Sequence, residues 1–152
     1  MGEEKSAANP GQSEGQQINS GVRSGVPYEE LCQQILSVDG GVRFAGVADY
    51  RGNILATKYR KEIEKSPLLT EDELRLSVSQ SVIRMGTRKS LEGSLGKPLY
   101  SITTYEKVKR ATIPIVCDGH DYMLMISLDL ASRPGPLINK KIIPLVKSLW
   151  PP

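Results

Sequence analysis

A helical pattern running from about Thr70 to Leu95 constrains this chain more than any other stretch, because strand-like segments lie on both sides of it. Its start is explicit. Pro67 lies just upstream, and Thr70 with Glu73 forms the T-x-x-E capping box, in which hydroxyl and carboxylate each satisfy an orphan backbone N–H. Glu71 and Asp72 add negative charge where the helix dipole is positive. At 100° per residue, Leu74, Val78, Val82 and Met85 share one side, while Leu76 and Ile83 fall opposite with Gln80 and Thr87. A helix packed only on its own sheet needs one apolar stripe. Here a full stripe and a partial second one predict two neighbours.

Around this helix the chain alternates between helical and strand periods. Residues 1–26 are rich in Gly, Ser, Asn, Gln and Glu, and too poor in apolar side chains to offset the entropy of ordering; they are read as a disordered tail. One ordered domain is expected over 27–152. Tyr28, Leu31, Cys32, Ile35 and Leu36 keep helical spacing, with Pro27 suited to the first helical position and Gly40-Gly41 as the stop. Two strand-like runs follow, Val42–Asp49 and Ile54–Arg60, joined by Tyr50-Arg51-Gly52-Asn53. Alternation puts Val42, Phe44 and Ala48 on one face, with Gly46 leaving room among them. Charged residues Lys61–Lys65 read as a loop.

Beyond the long helix, Leu99–Tyr105, Val108–Cys117 and Tyr122–Asp129 read as strands. Asp118-Gly119 between apolar runs is a strong hairpin signal. The segment Tyr122–Leu128 is apolar on both alternating sets, which predicts a central strand covered on both faces. Pro114 conflicts with an interior strand and calls for a bulge or an earlier strand end. After the break Arg133-Pro134-Gly135-Pro136, residues Ile138, Ile142, Leu145 and Leu149 make a last helix, kinked or divided at Pro144. The order α-β-β-α-β-β-β-α predicts an α+β fold built on a five-stranded antiparallel sheet.

Chemistry is sparse. Cys32 and Cys117 stand far apart and His120 is the only histidine, so no zinc set has the needed spacing, and buried reduced thiols are expected. His120 between Asp118 and Asp121 has the elements of a base-and-orienter pair, but no nucleophile accompanies it, and a turn role is preferred. Glu71, Asp72 and Glu73 could meet a hard cation, yet helix N-terminal placement accounts for them. With no phosphate loop, dinucleotide fingerprint or catalytic triad context, no enzyme, cofactor or metal is expected. A net charge of +3 falls short of the usual excess in nucleic-acid-binding domains. Arg84, Arg88, Lys89, Lys107, Lys109 and Arg110 would nonetheless form a basic patch if one surface gathered them, and weak nucleic-acid association through it is a third-ranked reading. No run approaches the roughly 20 apolar residues of a membrane span, and the N-terminus lacks a signal-peptide core, which points to the cytoplasm.

The element order, with Phe44-Ala-Gly-Val-Ala-Asp-Tyr-Arg-Gly-Asn-Ile-Leu-Ala56 as its opening hairpin, resembles the roadblock/LC7 family among the profilin-like folds. Longin and PAS-type sensor domains are similar in shape. The chain also resembles a group of small archaeal proteins through Ile83-Arg-Met-Gly-Thr-Arg-Lys-Ser-Leu91 and Tyr105-Glu-Lys-Val-Lys-Arg-Ala-Thr-Ile-Pro114, from which no activity is carried over. The roadblock resemblance implies a non-enzymatic homodimeric scaffold or regulator in signalling, with a small GTPase or another protein as partner. It places Leu76, Gln80, Ile83 and Thr87, with Tyr100 and Ile102 of an exposed edge strand, at the subunit interface. A PAS-like sensor is the alternative, and it requires a cavity of several hundred Å3 between sheet and helices.

Overall fold

The computed structural model of the protein describes residues 22–23 and 26–150. Most of the segment read as a disordered tail lies outside these residues; Val22–Arg23 pairs antiparallel with Val26–Pro27. Helix α1 (Tyr28–Ser37) then leads into strands β1 (Val42–Asp49) and β2 (Ile54–Tyr59). The long helix α2 (Glu71–Lys89) and a single turn, α3 (Glu92–Leu95), precede β3 (Ser101–Thr104), β4 (Lys109–Cys117) and β5 (His120–Leu128). Pro27 therefore precedes the first helix instead of opening it, and the charged loop contains a 3-10 turn, Lys61–Ile63, that buries Ile63. The C-terminal segment is α4 (Pro134–Leu137), a π-helical stretch (Ile138–Ile142) and α5 (Ile143–Leu149).

All five strands pair antiparallel in the order β2-β1-β5-β4-β3, so the expected α+β sheet is present with β5 at its centre. Both hairpins follow from their turn residues. Asp118 (φ 52°) and Gly119 (φ 74°) adopt the left-handed backbone that a two-residue hairpin requires. In the first hairpin the Asp49 carboxylate accepts from the Arg51 and Asn53 backbone N–H groups, both at 2.9 Å, while Gly52 takes φ 91°.

The sheet separates two apolar clusters. Against one face pack α1 and the C-terminal helices: Leu31, Cys32 and Ile35 meet Ile113, Leu124, Ile126, Ile138 and Ile142. Trp150 is 1% exposed and closes this cluster edge-on to Tyr28 and Tyr122 at centroid distances of 5.3 and 5.4 Å. Against the other face, Leu74, Val78 and Met85 of α2 pack on Phe44, Ala48, Met123 and Met125. That second cluster draws on β1 and β5 and on neither β3 nor β4. Toward β3 and β4 the contact of α2 is polar instead, with Ser77 meeting Arg110 of β4 at 2.7 Å.

Several local expectations are corrected. Val42 does not share a face with Phe44 and Ala48: the β1–β5 register shifts between Val42 and Phe44, and this bulge sends Val42 to the α1 side. Pro114 causes neither a bulge nor an early end, since it holds register opposite Met123 within β4. The partner β3 ends its pairing at Ser101–Thr112, so Pro114 lies where β4 has an open flank that needs no donor. The long helix stops at Lys89, short of Leu95. There Ser90 Oγ donates to the Thr87 carbonyl (2.7 Å) and Thr87 Oγ1 to that of Ile83 (3.0 Å), local bonds that compete with helix continuation. The Arg133–Pro136 break is instead the start of the C-terminal helical segment, and the π stretch, which ends at Ile142 two residues before Pro144, accommodates the proline.

Candidate association surface and cationic groove

Helix α2 is anchored by the expected cap: Thr70 Oγ1 accepts from the Glu73 N–H (3.1 Å), and Glu73 Oε1 accepts from the Thr70 N–H (2.9 Å). Glu71 and Asp72 accept from Arg75 at 3.1 and 2.9 Å, so the acidic set is occupied within its own helix turn. Leu74, Val78 and Met85 are buried, and the opposite stripe is open: Leu76 is 58% and Ile83 69% exposed, with Gln80 and Thr87 exposed beside them. This apolar stripe on a helix whose other face is already packed has no partner among the described residues.

At one margin of the sheet, β3 pairs only with β4, leaving its outer backbone open. Ile102 lies across from Ala111 and so projects to the α1 side, away from α2. The Tyr100 hydroxyl accepts from Asn139 Nδ2 at 3.0 Å, tying it to the C-terminal helical segment. The six candidate interface residues thus form two sets: four on the outer face of α2, and two at the edge strand, Ile102 within it and Tyr100 just before it. Leu91 (55% exposed), Leu95 (77%) and Leu99 (65%) follow in the chain between these sets and were missed. A signal existed for Leu91, which continues the Leu76 stripe at helical spacing.

The six basic residues are also divided. Lys109 donates to the Ser132 carbonyl (2.8 Å), and its strand position puts it on the α1 side. Lys89 stands 3.5 Å from Asp121 and 5.1 Å above the Tyr50 ring. The other four gather on the α2 side of the sheet. Arg110, on β4, donates to Ser77 Oγ at 2.7 Å. Arg84 and Arg88, one turn apart on α2, join Arg110 around a cleft of about 30 Å3 whose remaining walls include Ser81, Ser101, Thr103 and Thr112. No carboxylate lines this cleft among the described residues. Burial pulls the Arg110 guanidinium below its ordinary pKa, Tyr105 opposes this, and Arg84 adds to it.

Beside the cleft, and sharing Ser77, Arg84, Tyr105 and Arg110 with it, lies a larger groove of about 590 Å3 between the first half of α2, the sheet and the Tyr105–Val108 turn. Phe44, Tyr59, Ile63, Leu69, Leu74 and Val108 give it apolar walls; Arg84, Lys107 and Arg110, Arg43 (paired with Asp129 at 3.0 Å), and the carboxylates Glu73 and Glu106 charge its margins. Burial raises the Tyr59 phenol, which stays protonated at neutral pH. Ser77 and Ser81 explain the vacancy: they are buried on the inner face of α2 where larger apolar residues would reach β4.

The remaining candidates have structural roles. His120 is exposed and its Nδ1 lies 2.9 Å from the Asp118 carbonyl oxygen, within the hairpin. Cys117 is buried, as is Cys32, whose thiol burial pushes up to about 12. No His/Cys/Asp/Glu group suited to a metal occurs among the described residues, and no helix among them is long and apolar enough to cross a membrane.

No protein-family model and no curated protein matches the sequence. Solved structures do resemble it. The gliding protein MglB of Thermus thermophilus superposes with a TM-score of 0.61 at 20% identity, covering 86% of this chain and 96% of that one. An MglB in a tetrameric arrangement gives 0.63, also at 20% identity, over 86% and 92%. A roadblock/LC7 domain from Streptomyces avermitilis gives 0.59 at 10% identity, over 79% and 92%. At such identities the likeness is one of architecture, and it agrees with the strand order and helix placement described above: the chain has the fold of roadblock/LC7 domains.

Proposed function

We propose that this protein is a non-catalytic regulatory scaffold of roadblock type that acts as a homodimer in the cytoplasm, and that it belongs near the group of small archaeal proteins it resembles. The observation that carries this reading is the exposed Leu76/Ile83 stripe on α2, together with the open backbone of β3. In a two-fold assembly the same stripe meets itself, and β3 pairs with its copy to continue the sheet. The tetrameric MglB among the structures of the same fold supports association as a use of this architecture. The protein partner we assign is a small GTPase, on the roadblock resemblance; the assembled surface is its docking platform. Sedimentation of the full chain at micromolar concentration tests the reading, with a dimer expected and a strict monomer overturning it.

A small-ligand sensor is the second reading, favoured by one observation: the groove of about 590 Å3 is of the size and apolar character of ligand sites. Nucleic-acid association through all six basic residues receives no such support, since Lys109 and Lys89 point away from the other four.

A further inference from the structure

We infer that the groove and its cleft bind a small anionic amphiphile, its oxyanion head on Arg84, Arg88 and Arg110 and its apolar body along Phe44, Leu69 and Leu74. This rests on the small-ligand reading above and adds the ligand class. The argument begins with an imbalance of charge. Three guanidinium groups converge on one cleft with no carboxylate in its wall among the described residues. Their hydrogen-bond partners there are neutral: Ser77 Oγ for Arg110 (2.7 Å), Ser81 Oγ for Arg84 (3.4 Å) and Met85 Sδ for Arg88 (3.6 Å). Each guanidinium has further N–H donors in a planar fork that matches carboxylate or phosphate oxygens. Arg88 and Arg110 are half-buried and Arg84 lies exposed beside them, and like charges held close together are costly unless an anion joins them.

Size then separates head from body. At about 30 Å3 the cleft admits an oxyanion group and little more, whereas the groove that shares Ser77, Arg84, Tyr105 and Arg110 with it is about twenty times larger and largely apolar. The groove has two carboxylates, Glu73 and Glu106, but neither lines the cleft: Glu73 caps α2 through the Thr70 N–H (2.9 Å) and Glu106 is exposed at the Tyr105–Val108 turn. A ligand that answers both spaces carries a carboxylate or phosphate on an aliphatic or aromatic body.

Calorimetric titration of the full chain with decanoate and decyl phosphate tests this, with inorganic phosphate and octyl glucoside as head-only and body-only probes. Binding of at least one anionic amphiphile is expected, with affinity lowered about 10- to 100-fold by Arg84→Gln and by Arg110→Gln, as for loss of a charge-assisted hydrogen bond. Arg84 is exposed, so its variant reports on binding even if Arg110→Gln impairs folding. Leu68→Asp, on the open wall of the groove, should weaken the amphiphiles and leave inorganic phosphate unchanged. Octyl glucoside binding as well as the anions, with no effect of either arginine variant, overturns the head-group assignment and leaves the sensor reading standing. Inorganic phosphate binding as tightly as decyl phosphate overturns the role of the groove. Silence from every amphiphile overturns both the proposal and the sensor reading.

Discussion

Ile83→Asp separates association from folding, because Ile83 contributes to one and not to the other. The side chain is 69% exposed on the outer face of α2, so the protomer loses almost no packing when it changes. Aspartate in an exposed helix interior costs only a few tenths of a kcal/mol relative to isoleucine. At a two-fold seam the balance differs. Complete burial of such a side chain is worth about 1.5–3 kcal/mol, and scaling by the open fraction gives roughly 1–2 kcal/mol per copy. Two copies lose roughly 2–4 kcal/mol, which weakens a dimer about 30- to 700-fold. Desolvation of two facing carboxylates adds to this, so the figure is a lower bound. Sedimentation equilibrium across a dilution series should show the variant as a monomer at concentrations where the parent is dimeric, with an unchanged far-UV spectrum. A variant that sediments as the parent does, at every concentration, would remove α2 from the interface.

Three further outcomes test how the fold is held. Thr70→Ala removes half of the capping box and should lower stability by about 1 kcal/mol in urea unfolding without changing the dependence on denaturant. Gly46→Ala places a Cβ 2.8 Å from Phe44 Cζ and 3.3 Å from Met125 Cε; with Phe44 buried and its ring centroid 4.9 Å from that of Tyr59, the cost should be about 1–3 kcal/mol by the same measurement. Hydrogen bonds from Arg60 and then Arg43 hold the Asp129 carboxyl below its usual pKa, against desolvation. A depressed folded pKa contributes stability that is complete above the unfolded value, about pH 4, and is lost as pH falls through the folded value. Asp129→Asn should therefore be less stable than the parent at neutral pH and show a flatter loss below about pH 4; identical acid profiles would refute a role for these three groups.

What the sequence reveals about this protein depends on the range of the interaction. The capping box, the Asp118-Gly119 turn and the two-sided apolar pattern of β5 are local, and each is formed as the residues alone require. Val42 departs from the alternation because a bulge at Arg43 breaks the period of two, and the Gly40-Gly41 pair just upstream reads equally well as a plain helix stop. The end of α2 was placed too late because Thr87 and Ser90 are compatible with a helix until their hydroxyls bond backwards. The division of the basic residues follows from strand alternation, which puts Lys109 and Arg110 on opposite faces because they are adjacent in β4.

The groove was the least legible feature, and the reason is geometric. Nothing in a helical wheel states how far across a sheet the helix will sit. Once α2 rests on β1 and β5, its flank toward β4 carries Ser77, Ser81, Arg84 and Arg88, and the strand presents Arg110 and Thr112 in return. An apolar sequence on either side would have drawn the helix across and filled the space. Small hydroxyls and like charges do the opposite: they cannot collapse onto one another, and the guanidinium groups repel. The same choice of residues that keeps α2 to one half of the sheet therefore leaves a charged, half-open face beside an exposed apolar stripe. The arginine cleft calls for an anion and the stripe for apolar surface, and Leu76 and Gln80, which line the groove as well, set the two features side by side on α2.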